Sequence, residues 1–319
     1  MLQTAGLRAT QNESVWTSTL RYMWRNKLLY LMLIPGITII LVFCYVPLYG
    51  VLIAFKDYKF SRGIMGSDWV GFKYFRQFFA DPYAFRIIKN TVVLNVLGLL
   101  IGTPAPIIFA LMLNEMRTPR IKRVVQTISY MPSFLSVVVV VGLANMIFQA
   151  VGGGPVNDAL MALGIIDAPI QFMGTSRWYR TMYILTGVWS GMGYNSIIYL
   201  AAMAGLNIEL YESAVLDGAN RLQRIWHITL PGIRPTIVIL FILAVGGIMS
   251  ADQAKTLLMY NPSCYDVADN IASYVYRMGI LGGAFSLSTA VGLFQNIVGF
   301  LMLLITNFVC SKLGETSLL

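Results

Sequence analysis

Charged residues are scarce in this sequence. They make up 12% of its 319 residues, whereas 57% of the residues are hydrophobic. A soluble domain averages about 25% charged and 45–50% apolar residues, so this composition excludes an ordinary soluble protein. We therefore predict a protein that crosses a membrane several times.

Histidine and cysteine are also rare. The single histidine, His227, and the three cysteines provide no recognisable ligand spacing, so we predict no metal site. Cys44 and Cys310 lie in apolar runs, where a small buried hydrophobic side chain is the ordinary interpretation. Cys264 lies in a loop without an obvious partner, and three cysteines do not make a disulfide framework.

Motifs that would support catalysis are missing as well. The sequence has no Gly-x-x-x-x-Gly-Lys-Ser/Thr loop that could hold the phosphates of ATP. It has no Gly-x-Ser-x-Gly elbow and no His-Glu-x-x-His helix. We predict no catalytic residue and no cofactor bound by this chain. A secondary transporter, the less favoured alternative, would need intramembrane carboxylates, which the apolar runs almost lack.

The net charge of +9 does not indicate a nucleic-acid partner, because the basic residues fall between apolar runs rather than on one face. A spanning helix needs about 20 predominantly apolar residues. Six segments are interpreted as spans, and they cover residues 28–55, 91–114, 124–148, 182–206, 236–250 and 285–309.

We therefore predict an all-α membrane protein with six transmembrane helices. A six-span domain at residues 28–310 would follow a cytoplasmic N-terminal segment, 1–27, and precede a short tail, 311–319. Basic residues stand before the first span and in the turn after the second span, at Arg25, Lys27 and residues 117–123. This placement favours cytoplasmic N- and C-termini.

One polar stretch, residues 210–231, interrupts the late apolar segments. A helix-favouring piece around Glu212 is broken by Gly218, where a glycine lets the chain reverse at low cost. A second amphipathic piece is predicted to end at Leu230-Pro231. The product would be a helix-turn-helix outside the membrane, with an apolar face formed by Leu216, Ile225, Trp226 and Ile228.

This stretch resembles the EAA loop of ABC-importer membrane subunits. The likeness rests on Glu212-x-Ala214, Asp217-Gly218-Ala219 and Ile228-x-Leu230-Pro231, with Ser213 in place of the family's second alanine. It extends over most of the chain and includes residues 130–134, 197–202, 274–279 and 289–295. The sequence is most similar to the LplB-type permeases for oligosaccharides and polysaccharides, a group that includes alginate and rhamnogalacturonan permeases.

The resemblance implies a type I ABC importer permease fold in the bacterial cytoplasmic (inner) membrane. In that family the EAA loop is a coupling helix that sits in a cleft of an ATP-hydrolysing subunit. The coupling loop, residues 207–234, would thus contact the ATPase through Glu212, Ala214, Leu216, Asp217, Gly218, Trp226, Leu230 and Pro231. Glu212 would form a charge-assisted bond to an ATPase arginine; alternatively, it stabilises the N-terminus of its own helix.

The resemblance also implies the partners. They are a dimer of ATPase subunits that carries ATP and Mg²⁺, a second homologous permease forming a heterodimer, an extracytoplasmic solute-binding protein and an oligosaccharide substrate. The first external loop, residues 56–89, is rich in aromatic residues and cations. We expect an amphipathic piece of it to lie on the outer leaflet, or else its cations to meet an anionic substrate or the binding protein.

Six residues are candidates for the substrate path. The fourth span holds a patch of small and polar residues, which either line the path or serve close helix packing. The candidates are Trp189, Tyr194, Asn195, Gln253, Lys255 and Arg277. Gln253 and Lys255 face the bundle interior if they remain at membrane depth, and are interfacial if the fifth helix ends near Ser250.

Cations outnumber acids in the external segments, which favours an acidic sugar of the alginate or pectin kind. Lys255 and Arg277 are the cations most expected to face the path. The alternative is a permease for neutral oligosaccharides. In that case the external cations would lie at lipid headgroups or contact the binding protein.

Overall fold

The computed structural model describes residues 22–314, so most of the N-terminal segment 1–27 and the end of the tail 311–319 lie outside the described residues. The chain divides into two compact units, residues 1–52 and 53–319. This boundary falls inside the segment 28–310, which the sequence treats as one domain, and the domain limits stay predictions.

Helices dominate the described residues. The α-helices are α1 (Lys27–Ile40), α2 (Gly63–Gly66), α3 (Lys73–Ala80), α4 (Ala84–Gly102), α5 (Pro104–Asn114), α6 (Pro119–Tyr130), α7 (Val137–Phe148), α8 (Pro155–Ala162), α9 (Ser176–Ala204), α10 (Ile208–Leu216), α11 (Arg221–Arg224), α12 (Leu230–Gly246), α13 (Gln253–Met259), α14 (Tyr265–Ala268), α15 (Ile271–Val275) and α16 (Phe285–Lys312). Two short strands, β1 (Lys56–Asp57) and β2 (Asp68–Trp69), pair antiparallel.

Several helical turns are not α-helical. The 3₁₀ turns are Val46–Phe55, Phe60–Arg62, Met131–Phe134 and Pro262–Cys264, and the π-helical turns are Leu41–Tyr45, Ile225–Thr229 and Tyr276–Leu281. In the first unit, α1 continues into the first π turn without interruption, although Pro35 lies inside α1. None of the α1 side chains is buried, as expected of a helix whose surroundings are lipid.

Four helical runs in the described residues are long and apolar enough to cross a membrane, and they are Lys27–Phe55, Ala84–Asn114, Arg221–Gly246 and Phe285–Lys312. A fifth candidate is the pair Pro119–Phe134 and Val137–Phe148, which is bent by 106°. The predicted third span, 124–148, corresponds to this bent pair. The chain turns where Pro132 begins a 3₁₀ turn and where Leu135 and Ser136 are extended.

The predicted fourth span corresponds to α9, which has 29 residues. It is long enough to cross a membrane but is not among the runs that are sufficiently apolar. The reason is its position, because α9 packs against α4, α5, α6, α7, α12 and α14. A helix with many protein neighbours needs less lipid-facing apolar surface, so the six predicted segments fit the fold without six equally apolar helices.

Glycines allow the central helices to approach closely. A Cβ atom on Gly193 of α9 would clash with the backbone carbonyl oxygen of Ser129 in α6. A Cβ on Gly299 of α16 would lie 2.5 Å from the carbonyl oxygen of Gly246 at the end of α12. The close-packing interpretation of the small-residue patch is thus confirmed at Gly193.

The first external loop packs against the bundle, and its position on the outer leaflet stays a prediction. Phe78 of α3 is 1% exposed and packs against Tyr274 and Phe294. The Ser286 hydroxyl donates to the carbonyl of Lys56 at 2.7 Å and accepts from the backbone N–H of Tyr58 at 3.0 Å. Contacts within the protein therefore hold this loop at its start and at α3.

The helix that contains the predicted fifth span, 236–250, starts earlier than the sequence predicted. The helical run extends from Arg221 to Gly246, so the second amphipathic piece does not end at Leu230-Pro231. The N–H of Leu230 bonds the carbonyl of Ile225 across the π turn. Pro231 then falls directly after this change in bonding pattern, where its missing N–H is tolerated and the helix continues.

Candidate functional site

The first helix of the coupling loop has well-defined ends. The Asn207 side chain accepts a hydrogen bond from the N–H of Glu209 at 3.0 Å and caps α10. At the other end, Gly218 has a φ of +78°. The N–H of Ala219 bonds Ala214 at 2.8 Å and that of Gly218 bonds Val215 at 3.1 Å, which is a Schellman motif. The turn therefore requires the left-handed conformation that glycine adopts without strain.

The second helix of the coupling loop starts with a capping box. The Asn220 side chain accepts from the N–H of Gln223 at 3.0 Å, and the Gln223 side chain accepts from the N–H of Asn220 at 2.7 Å. The hydroxyls of Tyr211 and Thr229 lie 2.9 Å apart and join the two helices. Sequence reasoning missed these four residues, although Asn-x-x-Gln after a glycine is a recognisable start signal.

The coupling loop exposes apolar side chains. Leu216 is 88% exposed, while Trp226 and Leu222 are each 67% exposed. The predicted contact residues Glu212, Asp217, Gly218 and Pro231 are also exposed, whereas Ala214 and Leu230 are half-buried. Exposed apolar residues with a polar surround are typical of a protein-binding surface.

Glu212 is free to meet a partner. It is the fifth residue of α10, and the acid in the first turn is Glu209. The alternative, that Glu212 stabilises the N-terminus of its own helix, is therefore poorly supported because the dipole effect is confined to the first turn. Within residues 22–314, Glu212 forms no ion pair.

Two adjoining pockets lie along α9 and share Tyr194 and Asn195. One has a volume of about 500 Å³, and its wall includes Gly102, Thr103, Pro106, Tyr199, Leu240 and Ala244. The other has a volume of about 470 Å³, and its wall includes Asn95, Ser133, Ser190, Gly191, Asp252 and Lys255. Both volumes are ordinary for small-ligand sites. The break between α4 and α5 lines the first pocket, as irregular backbone at membrane depth must line a cavity or be packed.

The structure brings together three of the six path candidates. Tyr194, Asn195 and Lys255 line the second pocket. Trp189 and Gln253 are exposed and lie outside both pockets, as does Arg277. In the isolated chain, the candidates Tyr194 and Asn195 of α9 and Lys255 of α13 therefore line one pocket. The other three candidates lie outside it.

Lys255 faces the interior of the bundle. It is 7% exposed, and its Nζ donates to the carbonyl of Tyr183 at 2.6 Å and lies 4.3 Å from the centre of the Tyr183 ring. Asp252 caps α13 by accepting from the N–H of Lys255 at 3.0 Å. Burial alone does not place Lys255 at membrane depth, and the fifth helix ends at Gly246, so the interfacial alternative for Lys255 stays open.

Arg277 has a different environment. Its guanidinium makes two parallel bonds to the Asp269 carboxylate, at 2.8 and 2.9 Å, and also donates to the Tyr260 hydroxyl. Asp269 also accepts from the Ser273 hydroxyl at 2.6 Å and is 4% exposed. The ion pair neutralises Arg277 inside the third external loop, residues 259–281. Sequence reasoning missed Asp269, eight residues before its partner.

The same loop is tied to α4 by buried polar groups. The Asn90 amide donates to the carbonyls of Asp266 at 2.8 Å and Asp269 at 3.0 Å. The Thr91 hydroxyl accepts from the N–H of Ile271 at 3.0 Å. These groups lie about 180 residues apart in sequence. The hydrogen bonds therefore join the loop to the helix bundle.

Comparison with known proteins agrees with this architecture. The family described as "Binding-protein-dependent transport system inner membrane component" matches residues 102–311. Protein LplB of Bacillus subtilis strain 168 is 43% identical over 303 residues, covering 95% of this chain and 93% of that protein. The polygalacturonan/rhamnogalacturonan transport system permease YteP of the same strain is 43% identical over 291 residues, covering 91% of this chain and 90% of YteP.

A solved structure is also similar. A chain of the bacterial alginate ABC transporter, crystallised in complex with an alginate pentasaccharide-bound periplasmic protein, has a TM-score of 0.84 and 37% identity. The match covers 96% of this chain and 100% of that chain. Since family, relatives and fold agree over nearly the whole sequence, the chain belongs to the binding-protein-dependent transport system inner membrane components, the permease subunits of ABC importers.

Proposed function

We propose that this chain is the membrane-spanning subunit of an ATP-driven importer for fragments of an acidic polysaccharide, such as alginate- or pectin-like oligouronates. The observation that carries the proposal is the polar pocket along α9, whose wall includes the Lys255 ammonium. A cation in such a wall attracts and orients carboxylates. The names of YteP and of the alginate transporter, both concerned with acidic polysaccharides, point the same way.

The energy for transport would come from a dimer of separate ATPase subunits that holds ATP and Mg²⁺. Such a dimer can shift the permease between two states only through contacts that differ between those states. The exposed apolar residues of the coupling loop, with Glu212 beside them, would be this contact. Closure of the ATPase dimer would move the loop.

The structure suggests how that movement reaches the pocket. The second helix of the coupling loop continues without a break through the π turn into α12. Leu240 and Ala244 of α12 line the first pocket. A displacement of Trp226 would therefore be carried by one helix to the pocket wall, rather than through a flexible connection.

The other partners would be a second homologous permease and an extracytoplasmic solute-binding protein. Tyr194 and Trp189 on α9 are 53% and 45% exposed in the isolated chain. A second permease would supply the opposite wall of the path and cover these aromatic side chains. The solute-binding protein would deliver the sugar at the external loops.

Uptake into proteoliposomes that contain the complete importer tests the proposal. Oligouronates and neutral oligosaccharides of matched length are supplied with the binding protein, and internal sugar is measured with and without ATP. We expect ATP-dependent uptake of the oligouronate. Equal or better uptake of the neutral sugar would refute an acidic substrate and favour the neutral-oligosaccharide alternative.

We further propose that both termini and the coupling loop are cytoplasmic. In a variant without the native cysteines, single cysteines at Lys122 and Arg224 should react with an impermeant thiol reagent only from the cytoplasmic side. A cysteine at Gly153 should react only from outside. Labelling of Lys122 and Gly153 from the same side would overturn this orientation.

A further inference from the structure

The two cations predicted to face the path differ in what surrounds them. Arg277 is bonded through two nitrogens to Asp269. Lys255 is buried, and in the described part of the chain its Nζ has no carboxylate within 4.0 Å. Its one hydrogen bond goes to the carbonyl of Tyr183, a neutral group.

A buried charge without a counter-ion is costly, so such groups are normally paired. An ammonium has three N–H donors, and Tyr183 takes one through its carbonyl, with its ring at 4.3 Å adding a cation–π contact. Donor capacity and charge both remain for a ligand. The ammonium belongs to the wall of a 470 Å³ pocket, where a ligand could reach it.

We propose that Lys255 is the specificity-determining residue of the pocket and that its ammonium pairs with one carboxylate of the transported sugar. This inference rests on the proposed function and names the group that recognises the acid. Ser190 and Asn195 line the same pocket and would hydrogen-bond the sugar hydroxyls. Arg277 is excluded from this role because Asp269 already neutralises it.

Gly187 holds the ammonium in place by leaving room for it. A Cβ atom on Gly187 of α9 would lie 3.0 Å from Lys255 Nζ, which is tighter than ordinary contact. Because the side-chain end of a lysine is flexible, Gly187→Ala would move the ammonium while retaining its charge. The position of the charge can therefore be changed separately from its presence.

Asp252 limits the strength of this site. It lines the pocket together with Lys255, and one of its oxygens caps α13. A transport site must bind its substrate weakly enough to release it, and a nearby carboxylate competes with the sugar for the ammonium. Asp252→Asn keeps a side chain that caps helices well and removes this competition, so it should strengthen sugar binding.

The experiment measures uptake of trigalacturonate by the complete importer over a range of concentrations. Lys255→Met, which keeps a similar volume, should raise the apparent KM at least tenfold, and Lys255→Arg should retain most of the uptake. Gly187→Ala should raise the KM by a smaller factor, and Asp252→Asn should lower it. Lys312→Met removes an exposed cation at the end of α16, outside the pocket, and should change nothing.

The outcomes separate this inference from the proposed function. If the wild-type importer takes up trigalacturonate and Lys255→Met matches it, Lys255 does not select the substrate although the importer is acid-specific. If the wild-type importer takes up only neutral sugars, the proposed function itself fails. ATPase activity stimulated by the loaded binding protein should remain measurable in Lys255→Met, because the coupling loop is unchanged. An equal loss of uptake in Lys312→Met would contradict a local effect of Lys255.

Discussion

The coupling loop and the third external loop differ in which groups they expose. In the coupling loop, apolar side chains such as Leu216 and Trp226 are exposed. The side chains of Asn207, Asn220 and Gln223 accept hydrogen bonds from nearby backbone N–H groups. In the third external loop, the charged pair of Asp269 and Arg277 lies inside.

This difference indicates that the two loops have different roles. The coupling loop has a fixed local shape and an uncovered apolar surface, as a segment that docks into another protein requires. The third external loop uses polar groups to bind distant helices of the same chain, with Asn90 and Thr91 of α4 as partners. Damage to the first loop should impair transport, and damage to the second should impair folding.

The largest expected effect is that of Gly218→Val. No heavy atom lies within 4 Å of a Cβ at this position, so space is available and only the backbone conformation opposes a side chain. A β-branched residue at a φ of +78° is strained, at a cost of about 1–3 kcal/mol. We expect ATP-dependent uptake to fall at least tenfold while insertion into the membrane stays close to wild type.

Gly218→Asn is the matched control, because asparagine tolerates the left-handed conformation. It should retain most of the uptake. If Gly218→Val transports as well as Gly218→Asn, the turn does not transmit the ATPase movement. If Gly218→Val unfolds the permease, the distinction between the two loops breaks down.

Asp269→Asn should have the second largest effect, and it should be on stability. It leaves the Arg277 guanidinium without its ion pair, and removing one partner of a buried pair costs 3–5 kcal/mol. Since the Arg277 side chain is 34% exposed, solvent reduces this cost to about 2 kcal/mol. The melting temperature of the purified permease should fall by several degrees.

The exposed pair of Arg62 and Asp68 provides the comparison for this variant. Its atoms are 3.3 Å apart and its side chains are 53% and 67% exposed. Such surface pairs contribute about 0–1 kcal/mol, so Asp68→Asn should barely change the melting temperature. Equal melting temperatures for the two variants would show that the third external loop is not a stabilising element.

The smallest expected effect concerns the first external loop. The hydroxyl of Tyr74 donates to the Asp57 carboxylate and holds the pKa of Asp57 below its ordinary value of 3.8. A lowered pKa stabilises the folded state above the unfolded pKa, and this contribution is lost as the pH falls through the folded pKa. Tyr74→Phe should lower the melting temperature slightly at pH 7.

Melting curves recorded between pH 7 and pH 3 by tryptophan fluorescence would check this prediction. The small difference between Tyr74→Phe and wild type should start to shrink as the pH falls below about 3.8, and it should vanish below the lowered pKa of Asp57, where the carboxylate is protonated in both proteins. A difference that is constant over this range would assign the effect of Tyr74 to packing.

The parts of the fold that follow from local patterns were predictable. Hydropathy located the apolar runs, and the glycine at position 218 located the turn of the coupling loop. The bend before α7 was missed because Pro132 alone indicates a kink without its angle. The start of the fifth helix was misplaced because Pro231 usually stops a helix, whereas the π turn before it lets the helix continue.

The sequence by itself determined the membrane class, the family and the coupling loop, because hydropathy, capping and turn signals depend on residues close together in the chain. Only the tertiary structure decided which of two similar cations is available to a ligand. Arg277 is neutralised by Asp269 in a loop that Asn90 positions, whereas the Lys255 ammonium donates to the neutral carbonyl of Tyr183 on another helix. The net environment of a charge depends on groups that lie far apart in sequence and meet only when the helices pack.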